Sequence, residues 1–161
     1  EYLYQQVKKD WQLQSEDLHQ LLRWAAQLHE IGLSIAHSQF HKHGAYLLQH
    51  SDLSGFSRQL QSMLAVLVRS HRRKFPMTEF QLQPESFQTS LVRLAILLRL
   101  SIVLNHSRQD EAHKQVSIKV DKQDIQLSFS DDWLVDNPLA LADLNQEQHY
   151  LQNHDITLSY Q

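Results

Sequence analysis

A strongly apolar segment, Leu91–Leu104, constrains the fold of this chain more than any other feature. Eleven of its fourteen positions carry apolar side chains. A helix that spans a bilayer needs about 20 predominantly apolar residues, and this segment is shorter and contains Arg93 and Arg99. Because charged side chains are costly in hydrocarbon, the segment is expected to be the central helix of a bundle, buried on most of its sides.

The residues before this segment carry the periodicity of amphipathic helices. Leu3, Val7 and Trp11 recur every four residues, the spacing of one helix face. Ser15 is a suitable N-cap for a second helix, which Gly32 is expected to end. The sequence contains only 3 Gly and 3 Pro among 161 residues, so few breakers interrupt the helices.

Two more helices are predicted before the apolar segment. The first covers His41–His50, and the second runs from about Ser57 to His71 with its apolar side chains facing inward. A loop bracketed by Pro76 and Pro84 follows the second helix.

The pattern changes after Asn105. The polar stretch 105–114 has no helical stripe and predicts a linker. Apolar and polar residues then alternate in three stretches, which predict strands at 116–120, 125–129 and 156–160. Asp121–Asp124 predicts the hairpin turn, and Asn137-Pro138 predicts a helix start before the last strand.

The fold class that follows is mainly α. Residues 1–108 are predicted to form a helical bundle, and residues 115–161 a small α+β module of β-β-α-β order. The chain starts with Glu1 instead of Met, which is typical of a piece of a longer protein, and no signal peptide is recognised.

The charge of the chain is divided between two regions. From His37 to Lys74 there are six Lys and Arg residues and one acid, so this segment carries 6 − 1 = +5. From Gln109 onward three lysines face ten acids, which gives 3 − 10 = −7. The overall net charge of −3 argues against a general nucleic-acid binder. The absence of cysteine excludes disulfides and thiolate chemistry and fits a cytoplasmic location.

The stretch His37-Ser38-Gln39-Phe40-His41-Lys42-His43 is rich in hydrogen-bond donors. Imidazole and ammonium groups next to the free N–H groups of a helix start form a seat for phosphate, and this is the favoured interpretation. Two alternatives remain: a solvated polar surface, and a metal site that uses His37 and His41.

A second basic stretch contains Arg69, His71, Arg72 and Arg73. If the helix continues, the three arginines lie at positions i, i+3 and i+4 and share one face. Arginine forks match phosphate oxygens, so phosphate contact is favoured. The alternative is a solvated helix end whose cations suit the helix dipole. The buried Arg93 and Arg99 need partners, which are expected to be carboxylates or, alternatively, a bound phosphate.

The pair His29-Glu30 resembles the His-Asp dyad of the HD superfamily of metal-dependent phosphohydrolases. Glu replaces the usual Asp, and no further ligating acid is found where a late helix would supply one. A structural role for this pair is therefore favoured over a metal site.

Longer strings identify a closer relationship. LLRWAAQLHEIGLSIAHSQFHKHGAYLLQHSDLSGFSRQ (21–59), MLAVLVRSHRRK (63–74), LVRLAILLRLSIVLNHSRQ (91–109) and DDWLVDNPLALADLNQEQHYL (131–151) closely resemble the C-terminal half of the bacterial exopolyphosphatase/guanosine pentaphosphate phosphatase family.

This resemblance implies an HD-like helical domain with a degenerate dyad at His29 and Glu30, followed by a small α+β domain. It implies that catalysis and magnesium belong to N-terminal actin-like domains of the parent chain, and that this region alone has no catalytic residue, metal ligand or cofactor. The resemblance and the two basic stretches together give the expected phosphate-binding residues, which are His37, His41, Lys42, His43, Arg69, His71, Arg72 and Arg73.

The expected function is to bind inorganic polyphosphate or guanosine pentaphosphate, to support processive hydrolysis and to form a homodimer. A cytoplasmic location, free or associated with a membrane, is expected, with no integral membrane segment. Two alternatives remain: an independent metal-dependent HD-type phosphohydrolase, and a module for dimerisation alone.

Overall fold

The computed structural model describes residues 1–105, 116–130 and 132–161. In chain order the described helices are α1 (Tyr2–Val7), α2 (Glu16–Leu28), a short 3-10 helix (Ile31–Ser34), α3 (Phe40–His50), α4 (Arg58–Ser70), α5 (Met77–Gln81), α6 (Glu85–Leu104), α7 (Trp133–Asp136) and α8 (Pro138–Gln152). The strands are β1 (Val116–Asp121), β2 (Asp124–Phe129) and β3 (Thr157–Tyr160). The mainly α fold with a small sheet is therefore confirmed.

The described residues form two compact units. Ser15–Arg99 make up the helical unit, and Glu1–Gln14 together with Leu100–Gln161 make up the second unit. The predicted linker 105–114 lies outside the described residues except for Asn105, so the predicted domain boundary stays a prediction.

The core of the helical unit is built on α4 and α6. Leu64, Leu67 and Val68 of α4 are completely buried, as are Leu91 and Leu94 of α6. Ser57 is the N-cap of α4, and its hydroxyl accepts a hydrogen bond of 3.1 Å from the Leu60 N–H. The apolar segment is helical throughout, and most of its side chains are buried. Within the described ranges α6 is the helix long and apolar enough to cross a membrane, and 56% of its apolar window is buried.

Gly32 has a different role from the one predicted. The helix α2 ends at Leu28, so the prediction that Gly32 ends it is wrong. Gly32 lies in the 3-10 helix, where its backbone packs directly against α3. A Cβ atom at Gly32 would overlap the carbonyl oxygen of Phe40 and lie 2.5 Å from the nitrogen of Gly44. Only glycine allows this approach, which sets the position of the first turn of α3.

The segment between Pro76 and Pro84 is not the loop that was predicted. It contains α5, whose Phe80 is 1% exposed and stacks on Phe75 with ring centroids 5.1 Å apart. One and a half turns are too short to show a periodic apolar pattern, and tertiary burial of Phe80 stabilises this helix instead.

The sheet of the second unit has the predicted β-β-α-β order. The strands β1 and β2 pair antiparallel, with Lys122 in the left-handed region (φ 52°) at the turn, and β2 and β3 pair parallel. The helix α8 begins at Pro138 as predicted and connects the two parallel strands. The short α7 was not predicted.

The N-terminal segment packs against this sheet. Its helix α1 ends at Val7, so the prediction that Trp11 continues the same helix is wrong, although Trp11 is buried. The Gln6 side-chain oxygen accepts a hydrogen bond of 3.0 Å from the Ile118 N–H of β1. The Tyr4 hydroxyl donates to the Leu13 carbonyl at 2.6 Å, which closes the turn after α1.

We predict that Gly32→Ala destabilises the helical unit. The added methyl meets two backbone groups that cannot move independently of α3, so the free energy of unfolding should fall by about 3 kcal/mol, as at over-packed sites. Urea denaturation measures this.

Gly55→Ala is the matched control for this substitution. Gly55 has a positive φ of 87°, but a methyl group added there would have no atom within 4 Å, so this variant should lose only about 1 kcal/mol. Equal losses for the two variants would contradict the packing role of Gly32.

Candidate functional site

A groove on the helical unit brings together residues from both basic stretches. Its volume is about 520 Å³. We call it the basic groove, and its lining consists of His37, Ser38, Gln39, His41, Lys42, Arg72 and Arg73. Three of these side chains are permanent cations, and none of the described residues that line the groove is an acid.

The first turn of α3 forms one wall of the basic groove. Gln39 precedes the helix in the left-handed region (φ 55°), and its carbonyl accepts hydrogen bonds from the N–H groups of Lys42 (2.8 Å) and His43 (3.3 Å). These two N–H groups are therefore satisfied, whereas the N–H groups of the residues at the very start of a helix have no acceptor within it. They and the helix dipole favour an anion at this end of α3.

Arg99 holds the opposite wall in place. Its side chain is 1% exposed, and it donates hydrogen bonds to the carbonyl of Ser70 and, at 2.7 Å, to the carbonyl of Arg73. Main-chain carbonyls at the end of α4 carry partial negative charge, so they are suitable acceptors for a buried cation. They are partners that the sequence did not indicate.

The chain turns sharply where Arg99 holds it. The helix α4 ends at Ser70, and Arg73 has a left-handed backbone (φ 66°). Arg72 and Arg73 therefore lie beyond the helix, and the prediction that they share a helix face with Arg69 is wrong. The guanidinium carbon of Arg72 lies 4.6 Å from the ring centre of Phe40, a cation–π contact with α3.

Several predicted site residues lie outside the basic groove. Arg69 forms an ion pair with Glu79, with 3.4 Å between Nε and Oε1. His43 is half-buried on α3, and His71 is 4% exposed; neither is part of the lining. His37, His41, Lys42, Arg72 and Arg73 thus line the basic groove, and the other three predicted residues do not.

Three histidines lie close together in the helical unit. The ring of His71 has its centre 5.3 Å from that of His29 and 6.3 Å from that of His41. Phe40 completes the cluster, with its ring centre 5.4 Å from that of His71. His71 Nδ1 lies 2.6 Å from the Val68 carbonyl oxygen, which fits a neutral ring that donates from Nδ1.

The two residues of the HD-like dyad lie in different surroundings. His29 Nδ1 lies 2.7 Å from the Ala26 carbonyl oxygen, and Glu30 is exposed at the start of the 3-10 helix. Within residues 1–105, 116–130 and 132–161, no group of three or more His, Asp or Glu side chains is arranged to hold a metal ion. The absence of a metal site in the whole chain stays a prediction.

Burial and neighbouring cations keep two of these histidines neutral. Burial, followed by the charges of Arg69, Arg72, Lys42 and Arg73, lowers the pKa of His41 to about 4. Burial, followed by His29, His41 and Arg72, lowers the pKa of His71 to about 3, although its hydrogen bond to Val68 acts in the opposite direction.

His41 also has an unsatisfied polar atom. Its Nδ1 is buried and lacks a hydrogen-bond partner among the described residues. Such an atom costs about 1–3 kcal/mol, and His41 lines the basic groove.

The similarity of the chain to known proteins is extensive. Residues 1–148 match the family model of the Ppx/GppA phosphatase, domain III. Three similar relatives are named "Guanosine-5'-triphosphate,3'-diphosphate pyrophosphatase". The one from Pseudoalteromonas translucida is 34% identical over 148 residues, which cover 90% of this chain and 29% of the relative. The one from Vibrio atlanticus is 39% identical over 129 residues, which cover 80% of this chain and 26% of the relative.

The third relative comes from Vibrio cholerae. It is 38% identical over 127 residues, which cover 79% of this chain and 25% of the relative. The chain therefore spans between 25% and 29% of the length of these three proteins.

We predict that Arg99→Met destabilises the helical unit. The substitution keeps much of the volume but leaves the carbonyls of Ser70 and Arg73 without their donor. Hydrogen bonds to charged groups contribute about 1.5–3 kcal/mol each, so urea denaturation should show a loss of about 3 kcal/mol. Arg93→Met, on the same helix but only half-buried, is the comparison variant. A loss no larger than that of Arg93→Met would contradict this role.

We also predict that the stability falls as the pH is lowered from 6.5 towards 4. A histidine in the unfolded chain has a pKa of about 6.5. In the folded chain the pKa is about 4 for His41 and about 3 for His71. In this window the unfolded state binds more protons, so acid favours unfolding. His71→Asn keeps a hydrogen-bond donor for the Val68 carbonyl and removes one of the two histidines that take up a proton on unfolding. Its pH dependence should be shallower by up to about 1.4 kcal/mol per pH unit.

Urea denaturation at several pH values measures this slope. His149→Asn, which replaces a histidine on α8 of the second unit, is the control and should keep the slope of the unchanged chain. An unchanged slope in His71→Asn would show that His71 does not contribute to acid unfolding.

Proposed function

We propose that this chain, which belongs to the Ppx/GppA phosphatase family as its domain III, binds the phosphate chain of the substrate in the basic groove. The resemblance found in the sequence is confirmed by the family match and by the three relatives. The substrate is inorganic polyphosphate or guanosine pentaphosphate, and the names of the relatives favour a guanosine polyphosphate.

The observation that carries this proposal is the composition of the groove. Lys42, Arg72 and Arg73 converge on the first turn of α3, and the described lining residues include no acid. Arginine guanidinium groups match phosphate oxygens in pairs, and lysine acts as a point charge. A helix start adds backbone donors of the same polarity. Linked phosphates are the ligand that satisfies all of these groups at once.

Several weak contacts to one polyanion also support processive action. When one phosphate leaves its cation, the other contacts keep the chain bound at a high effective concentration. Because these contacts release counterions, binding should weaken steeply as the salt concentration rises.

In this proposal the reaction itself takes place outside this chain. It is the hydrolysis of a phosphoanhydride bond, in agreement with the word pyrophosphatase in the names of the relatives. The parent chain would supply the catalytic carboxylate and the magnesium. The described residues contain no cluster of side chains that could hold a metal ion. Homodimer formation and a cytoplasmic location stay predictions.

Reversal of two charges tests the proposal. Arg72→Glu combined with Arg73→Glu places two carboxylates in the basic groove. The affinity for inorganic tripolyphosphate, measured by isothermal titration calorimetry at low salt, should fall by about 100-fold or more, because charge-assisted hydrogen bonds are lost and repulsion is added. The slope of log Kd against log salt should also become shallower.

The control is Arg23→Glu combined with Arg58→Glu. Both arginines are exposed on the helical unit and neither lines the basic groove, so the net charge changes by the same amount. Equal loss of affinity in both double variants would show that net charge alone attracts the polyanion and would overturn the proposal.

A further inference from the structure

A second groove lies beside the basic groove in the helical unit. Its volume is about 410 Å³, within the range of small-molecule sites. We call it the aromatic groove, after Tyr46 and His50 of α3, which line it. Its lining also includes Arg69 of α4, and Glu79 and Gln83 from the region of α5. Lys42 lines both grooves, so the two adjoin at this residue.

Tyr46 presents an aromatic face at this groove. Its side chain is 63% exposed, and its ring centre lies 4.5 Å from that of His50 on the next turn of α3. The two rings are tilted by 44° relative to each other. A single exposed tyrosine is ordinary, but here it lines a concave site that continues into a cluster of cations.

The polar groups of the aromatic groove can pair with the edge of a planar ring. The carboxylate of Glu79 accepts hydrogen bonds, and its position is fixed by the ion pair with Arg69. The amide of Gln83 is held by the Ser62 hydroxyl at 3.1–3.2 Å. Acceptors and donors are therefore fixed beside an aromatic surface, and this combination recognises a nucleobase better than it recognises an aliphatic chain.

We propose that the aromatic groove takes the purine base of a nucleoside polyphosphate whose phosphates lie in the basic groove. The base stacks on Tyr46, and Lys42 contacts the phosphate nearest to the sugar. This inference rests on the proposed function, because the phosphates anchor the molecule. It assigns to the site a preference for nucleotides over inorganic phosphate chains of the same length.

The test compares GTP with inorganic tripolyphosphate, both without divalent metal. Each has three linked phosphates, and only GTP has a base. In calorimetric titrations of the 161-residue chain, GTP should bind at least about tenfold more tightly, as expected for one stacked base. Tyr46→Ala should remove most of this difference and leave the Kd for tripolyphosphate unchanged. Tyr46→Phe keeps the ring and should keep the difference.

Tyr2→Ala is the matched control. Tyr2 is an exposed tyrosine of the second unit, 40% accessible, and lines neither groove, so its replacement should leave both Kd values unchanged. Urea denaturation of each variant verifies that it is folded, which is expected because Tyr46 is not part of the core.

The possible outcomes separate this inference from the proposed function. If GTP and tripolyphosphate bind equally well, or if Tyr46→Ala weakens both to the same extent, the base site is overturned while phosphate binding in the basic groove stands. If neither ligand binds, both proposals are overturned.

Discussion

The buried guanidinium of Arg99 holds the end of α4 by donating to the carbonyls of Ser70 and Arg73. A buried cation without acceptors would destabilise the fold by several kcal/mol, and these two hydrogen bonds tie the end of α4 and the turn after it to α6. The turn puts Arg72 against Phe40 and places Arg73 in a left-handed conformation. The cation-rich wall of the basic groove therefore depends on one residue of the apolar core helix.

The opposite wall depends on backbone packing. Gly32 lets the 3-10 helix contact Phe40 and Gly44 without an intervening side chain, which sets where α3 begins. His41, in the first turn of that helix, is kept neutral by burial and by the cations around it. A neutral ring can lie near Lys42 and Arg72 without adding repulsion. The positive charge of the groove is therefore carried by Lys42, Arg72 and Arg73, whose side chains line it.

In the proposed mode of binding, the two grooves contribute two kinds of interaction with one ligand. The basic groove would supply charge, which is long-ranged, depends on salt and is indifferent to what the phosphates are attached to. The aromatic groove would supply stacking, which acts at short range and distinguishes a nucleotide from an inorganic chain. Lys42 belongs to both. In a longer protein that carries the catalytic groups elsewhere, this arrangement would select and retain the substrate.

Local pattern in the sequence was enough to predict α4, α6, α8, the hairpin and the mainly α fold, because apolar periodicity and caps such as Ser15 depend on neighbouring residues alone. It also singled out five of the seven residues that line the basic groove. Only the tertiary structure decided which of them meet: Arg69 pairs with Glu79, ten residues along the chain, and Arg99 bonds to carbonyls more than twenty residues away. Contacts between distant parts of the chain have no signature in local spacing, because they depend on how the helices pack.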